Sequence, residues 1–247
     1  MRFTVSLRPF LLTLLGVLAS LSPLSYAEAI SPQEQVQVHA SRVTSTLMLL
    51  RGEGFQKKHE QTLESDLAAL AASVQSLPQR PDELRSAHQE LVVQIRRGVA
   101  FGPNEEDMPW RYPEDLSKAL LGVLEQTRKL ANPGESELSA KLEYLSVQYL
   151  SRSYFGNFET AREQPDTYLG QDERKIVPTV DAQLAALDSS ANPQVGKLKT
   201  RWDYLKAALV DLNSQSSALE SASGRPFAPT TVYRHTRSLT DQWMAMY

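Results

Sequence analysis

Val195, Leu198, Trp202, Leu205, Leu209 and Leu212 follow one another at steps of 3, 4, 3, 4 and 3. An α-helix turns once in about 3.6 residues, so this alternation keeps all of them on one stripe. An apolar stripe must be covered, which forces the segment against another helix. The same stepping recurs along the chain. It runs through Val36, Ala40, Val43, Leu47 and Leu50, then through Leu63, Leu67, Leu70, Val74 and Leu77. It returns in Leu84, His88, Leu91 and Ile95, in Leu116, Leu120, Val123, Thr127 and Leu130, and in Leu138, Leu142, Leu145 and Tyr149. Ile176, Val180, Leu184 and Leu187 repeat it, and Val232, Leu239, Trp243 and Met246 close the chain. Alternating β-branched runs bounded by Asn-Gly or Asp-Gly, the signature of hairpins, do not occur.

Punctuation divides these stripes into helices. Ser31, Pro32 and Glu34 read as N-cap, first helical residue and capping-box partner. Arg51-Gly52-Glu53-Gly54 interrupts the pattern. Residues 31–78 are therefore either one rod of about 70 Å, at 1.5 Å per residue, or two stacked helices with a break at the glycines. Pro81 opens the next helix with Asp82 and Glu83 in its first turn, and Gly102-Pro103 ends it. A proline-rich, acidic loop covers 103–113. Pro113 starts another helix, and Asn132-Pro133-Gly134 is a strong turn. A helix is expected from Glu135 to about Arg162, and another from Asp172 to Leu187 that Pro178 should kink or delay. Asn192-Pro193 starts the clearest heptad, Gly224-Arg225-Pro226 breaks it, and a last helix begins near Thr230. Short connections between long helices make neighbours antiparallel. The fold class is all-α: an elongated antiparallel helical bundle with heptad-like seams, single or as two packed sub-bundles meeting near Pro133-Gly134.

The first residues read as a secretory signal. Arg2 and Arg8 precede an apolar run from Phe10 to Leu24, and Ser25-Tyr26-Ala27 fits the small-x-small cleavage rule. Residues 1–27 are expected to be removed, leaving a helical domain over 28–247. The signal carries two Arg and no acid, so 26 basic residues become 24 against 29 acidic ones, a net charge of −5. Such a balance disfavours nucleic acid and anionic lipid, which need concentrated basic surface. Cysteine is absent, so thiol chemistry, thiolate metal sites and a lipidated anchor are excluded. These features place the mature chain in a bacterial periplasm, without a stable membrane anchor.

Catalytic signatures are missing. No nucleophile elbow, phosphate-cradling glycine loop or dinucleotide fingerprint occurs. His59-Glu60 begins like a zinc-protease helix, but Leu63 stands where the second histidine belongs. His39, His59, His88 and His235 are not paired at helical spacing. Glu105, Glu106 and Asp107 form a solvated acidic loop without the alternation that calcium requires. No catalytic residue, metal ligand or cofactor is called for.

Two groups stand out as contact candidates. Trp110, Arg111 and Tyr112 lie together in a loop, and these residue types are enriched among interface anchors. Tyr149, Arg152, Tyr154 and Phe158, with Tyr144, Phe155, Arg162 and Tyr168 nearby, suggest an aromatic wall carrying an arginine for an anionic or aromatic ligand. The reading is a non-catalytic periplasmic protein that binds an envelope protein or receptor ectodomain. The alternative is a periplasmic small-molecule or metal-binding, sensor-like module with the aromatic-arginine region or His88 in its site; the architecture is loosely similar to the four-helix periplasmic sensor domains of bacterial receptors, a likeness of fold that carries no function. A helical enzyme without a local motif comes third. A homodimer is compatible with either binding role, because heptad stripes do not say whose helix fills them.

Overall fold

A computed structural model of the chain describes residues 30–156, 167–190, 192–210 and 229–246. The expected signal segment, Phe158, Arg162, Leu212 and the Gly224-Arg225-Pro226 break lie outside the described residues. Within them the protein is all-α, with eight α-helices and no strand.

Helix α1, Pro32–Gly52, starts as its cap residues dictate: Ser31 Oγ accepts the Glu34 N–H at 3.1 Å, and Pro32 sits in the first turn. The 31–78 stretch is not one rod. Gly54 and Phe55 adopt left-handed φ values of +82° and +58°, which a right-handed helix cannot contain. The chain turns back there into α2, Lys57–Ser76. Helix α3 is Asp82–Ala100 and α4 is Tyr112–Arg128, joined through a short 3-10 turn at Glu105–Asp107.

Helix α5, Leu138–Tyr154, begins later than the sequence spacing suggests. Gly134, at φ +90°, extends the turn. The helix then takes its cap from elsewhere: Glu34 of α1 accepts the N–H groups of Ser139 at 2.7 Å and Ala140 at 3.4 Å.

Helix α6, Glu173–Ala185, contains Pro178, yet its start is not delayed. Proline removes the bond to the carbonyl of Arg174. Both residues are exposed, so water can satisfy that carbonyl. Asp172 caps the helix by accepting the Arg174 N–H at 3.0 Å. Helices α7, Pro193–Val210, and α8, Pro229–Met244, complete the set.

Up-and-down alternation brings α1 and α5 together as parallel neighbours. Glu34 meets Ser139, Arg42 meets Glu143, and Glu53, just past α1, meets Tyr154. Helix α8 lies antiparallel to α1, since Arg42 pairs with Asp241 and Thr46 with Tyr233. Helix α1 packs against α2, α3, α4, α5 and α8. It is buried around its whole circumference from Val36 to Leu50, with only His39 partly open. The heptad reading captured one stripe of this helix, but five neighbours cover the others. Thr44 and Ser45 survive in that interior by donating their hydroxyls to the carbonyls of Ala40 and Ser41, each at 2.9 Å. Helices α6 and α7 pair with each other, and the chain returns through α8 onto α5. Buried apolar residues of all eight helices form one contiguous core. Among the described residues, no helix is long and apolar enough to cross a membrane.

Candidate functional site

The tip formed by the α3–α4 connection carries the first sequence candidate. Its base is stiff. Arg51, in the last turn of α1, donates to the carbonyls of Gly98 at 2.7 Å, Gly102 at 3.1 Å and Phe101 at 3.4 Å. A guanidinium there satisfies orphan carbonyls at the C-terminus of α3 and meets the negative end of its dipole. Asp107 closes the loop by accepting the backbone N–H of Asn104 at 3.0 Å and its side-chain amide at 3.1 Å. This use of Asp107 leaves the acidic loop as a turn. No group of residues suited to a metal occurs among the described residues.

The three contact candidates part company at this tip. Tyr112 is fully buried. Its hydroxyl donates to the Gln94 carbonyl at 2.7 Å, and its ring meets Phe101 edge-on at 4.9 Å and Phe155 at 6.5 Å. Burial pushes its phenol well above the ordinary range, so it stays neutral. It is a post under the loop, which corrects its assignment as a contact residue. Trp110 is 84% exposed. Exposed Arg111 places its guanidinium 5.4 Å from the Trp110 ring centroid, within cation–π range. Trp110 and Arg111 form the part of the triplet that faces solvent.

The second group does not assemble into one wall. Tyr149 is buried in the core. Arg152 leans toward α6 and pairs with Glu173 at 3.2 Å. Tyr154 points to the end of α1, donating to Glu53 Oε1 at 2.5 Å while its ring lies against Gly52. Phe158 lies outside the described residues. Helical spacing placed these residues close along the chain, but three different neighbours claim them.

One cluster escaped the sequence reading. Arg42 of α1 binds Glu143 of α5 at 2.7 Å and Asp241 of α8 at 2.7 Å. Beside it Arg237 of α8 grips both carboxylate oxygens of Asp66 of α2, each at 2.7 Å. Thr46 donates to Asp66 at 2.6 Å and lies 2.8 Å from the Tyr233 hydroxyl. Asp66 and Glu143 hold Arg237 protonated far above the usual guanidinium value, against the opposing effect of burial. The only trace in the sequence is that Arg42 and Asp66 each stand next to a seam residue, Val43 and Leu67. The network locks α8 to α1, α2 and α5 with its charges mutually paired. That suits fastening rather than proton transfer. His39 adjoins it, and burial, helped by Arg42, lowers its imidazole to about 4. His88 is partly buried on α3, and burial lowers it too.

Comparison with protein-family models, with curated proteins and with solved structures finds no match to this chain.

Proposed function

We propose that the chain is an exported, non-catalytic helical protein that binds another envelope protein through the tip of the α3–α4 hairpin, with Trp110 and Arg111 as its contact residues. The observation that carries this reading is the 84% exposure of Trp110 at the end of a braced loop. Trp and Arg are over-represented among residues that dominate binding energy. A large ring held outside the core has no folding role, and bracing by Arg51 and Tyr112 lowers the entropy lost when a partner orders the loop. Export rests on the basic, apolar and small-residue order of residues 1–27.

The test is crosslinking of tagged protein in intact cells, read by mass spectrometry, followed by affinity measurement with the purified partner. A dominant envelope partner is expected at near-equal amount. Trp110→Ala should weaken the purified pair by about 30-fold, the equivalent of roughly 2 kcal/mol at a hot spot. An unchanged dissociation constant in both Trp110→Ala and Arg111→Ala, with the helical circular-dichroism signal intact, would remove the tip from the interface.

A further inference from the structure

Helices α7 and α8 run antiparallel, and their seam is laid out in rungs. Tyr204 faces His235 with ring centroids 4.6 Å apart, and one turn along the Arg201 guanidinium donates to the Ser238 hydroxyl. Val195, Leu198, Trp202, Leu205 and Leu209 close the core side of α7 and are buried. A second stripe, Pro193, Lys197, Thr200 and Tyr204, recurs at steps of 4, 3 and 4 on another face of the same helix. With Gly196 and Arg201, and with His235 and Gln242 of α8, it lines a groove of about 610 Å³ that is open to solvent. We infer that this groove docks an acidic, amphipathic segment of a partner protein, with carboxylates on Lys197 and Arg201 and apolar side chains on Tyr204.

Charge selects the occupant. Lys197 and Arg201 stand four residues apart, which sets like charges side by side on one helix at a cost of about 0.2–0.5 kcal/mol. The lining contains no aspartate or glutamate, and among the described residues neither cation pairs with a carboxylate. Other cations of the chain are paired. Lys206, farther along α7, holds Asp181 at 2.7 Å, Arg128 holds Glu137 at 2.5 Å, and Arg152 holds Glu173 at 3.2 Å. Burial, then Arg201 and Arg234, lowers the His235 imidazole, so the ring is neutral at neutral pH and the groove keeps a positive field. That field belongs to a chain whose formal charge is −3, and carboxylates brought by a partner relieve the repulsion between Lys197 and Arg201.

Shape selects a peptide over a small anion. The stripe from Pro193 to Tyr204 is about 16 Å long at 1.5 Å per residue. Sites for small molecules bury roughly 70–90% of the ligand, and a groove open along its length leaves a small dicarboxylate largely in water. An amphipathic segment laid lengthwise covers it, as in helix-in-groove recognition. Tyr204, 44% exposed, supplies apolar surface. Gly196 supplies clearance, since a Cβ added there would meet no atom within 4 Å. Nucleic acid is a poor occupant, because two cations neutralise too little phosphate to hold it at physiological salt. The groove shares no residue with the Trp110 tip and stands independently of that contact.

Panning a phage-displayed library of random dodecapeptides on the purified full chain tests this. Enriched peptides should carry at least two Asp or Glu together with large apolar residues. A labelled synthetic copy of the leading peptide should bind saturably by fluorescence anisotropy. Lys197→Glu should weaken that peptide at least tenfold. Gly196→Leu, which fills the groove from an open position, should do the same, with the helical circular-dichroism signal intact in both variants. Trp110→Ala should leave the affinity unchanged. The inference is overturned by a failure to enrich acidic peptides, or by full affinity in Lys197→Glu. Displacement of the peptide by equimolar succinate also overturns it, by giving the groove to a small dianion. So does loss of binding in Trp110→Ala with Lys197→Glu unaffected, a result that would leave the tip reading standing.

Discussion

Replacing Glu34 by glutamine should remove a component of stability that is lost as pH rises through 7. Glu34 is 1% exposed, and burial, assisted by nearby Glu137, raises its carboxyl from 4.5 to about 7 despite the two backbone N–H groups it caps. The folded state keeps the proton through a range where the unfolded chain releases it. This contribution is therefore complete below the unfolded value and is lost as pH rises through 7. The full difference is about 3 kcal/mol at 1.36 kcal/mol per tenfold change in proton affinity. About 2.5 kcal/mol of it falls between pH 5 and pH 8, because the unfolded carboxyl is already partly ionised at pH 5. His39 works in the opposite sense. Burial and then Arg42 lower it from 6.5 to about 4, so its contribution is complete above the unfolded value and is lost as pH falls through 4. The two windows overlap between about 4.5 and 6.5, where the slopes oppose each other in the intact protein. Urea unfolding of wild type and Glu34→Gln at pH 5 and pH 8 separates them. The difference between the two proteins should move by about 2.5 kcal/mol in favour of the variant on going to pH 8. A difference that stays constant to within about 1 kcal/mol, less than the ~1.4 kcal/mol of a single tenfold change in proton affinity, would refute the assignment of a buried, raised carboxyl.

The paired charges around α8 supply a second measurement. Asp66→Ala strips Arg237 of both its carboxylate contacts and should lower unfolding free energy by about 3 kcal/mol, as for a buried pair broken on one side. Asp66→Ala with Arg237→Met should recover part of that loss in a double-mutant cycle. In Gly98→Ala, the new Cβ would fall inside the contact distance of the Tyr112 hydroxyl and the Leu47 side chain. A cost of about 1–3 kcal/mol is expected from overpacking, read as a fall of several degrees in Tm. Trp110→Ala should leave Tm unchanged within about 1 °C, because exposed positions of this kind seldom alter stability by more than ~0.5 kcal/mol. Any larger drop would mean that the ring braces the fold.

The helices themselves were legible in the chain, because their causes are local. Apolar steps of three and four, and the cap at Ser31, depend only on residues within a turn or two. The absence of thiol chemistry was equally plain from composition. The break at Gly52-Glu53-Gly54 could be located but not interpreted, since two glycines permit a turn without requiring one. Packing of α2 back along α1 decided it. Tertiary structure alone separated Trp110 from Tyr112, neighbours in the same loop, by drawing Tyr112 onto the Gln94 carbonyl and leaving Trp110 outside. It also assembled Arg42, Asp66, Glu143 and Arg237 from four helices, and brought Lys197, Arg201 and His235 to one groove. Helical periodicity tells which residues share a stripe. It carries no information on which helix covers that stripe, and burial, charge pairing and cavities are properties of the cover.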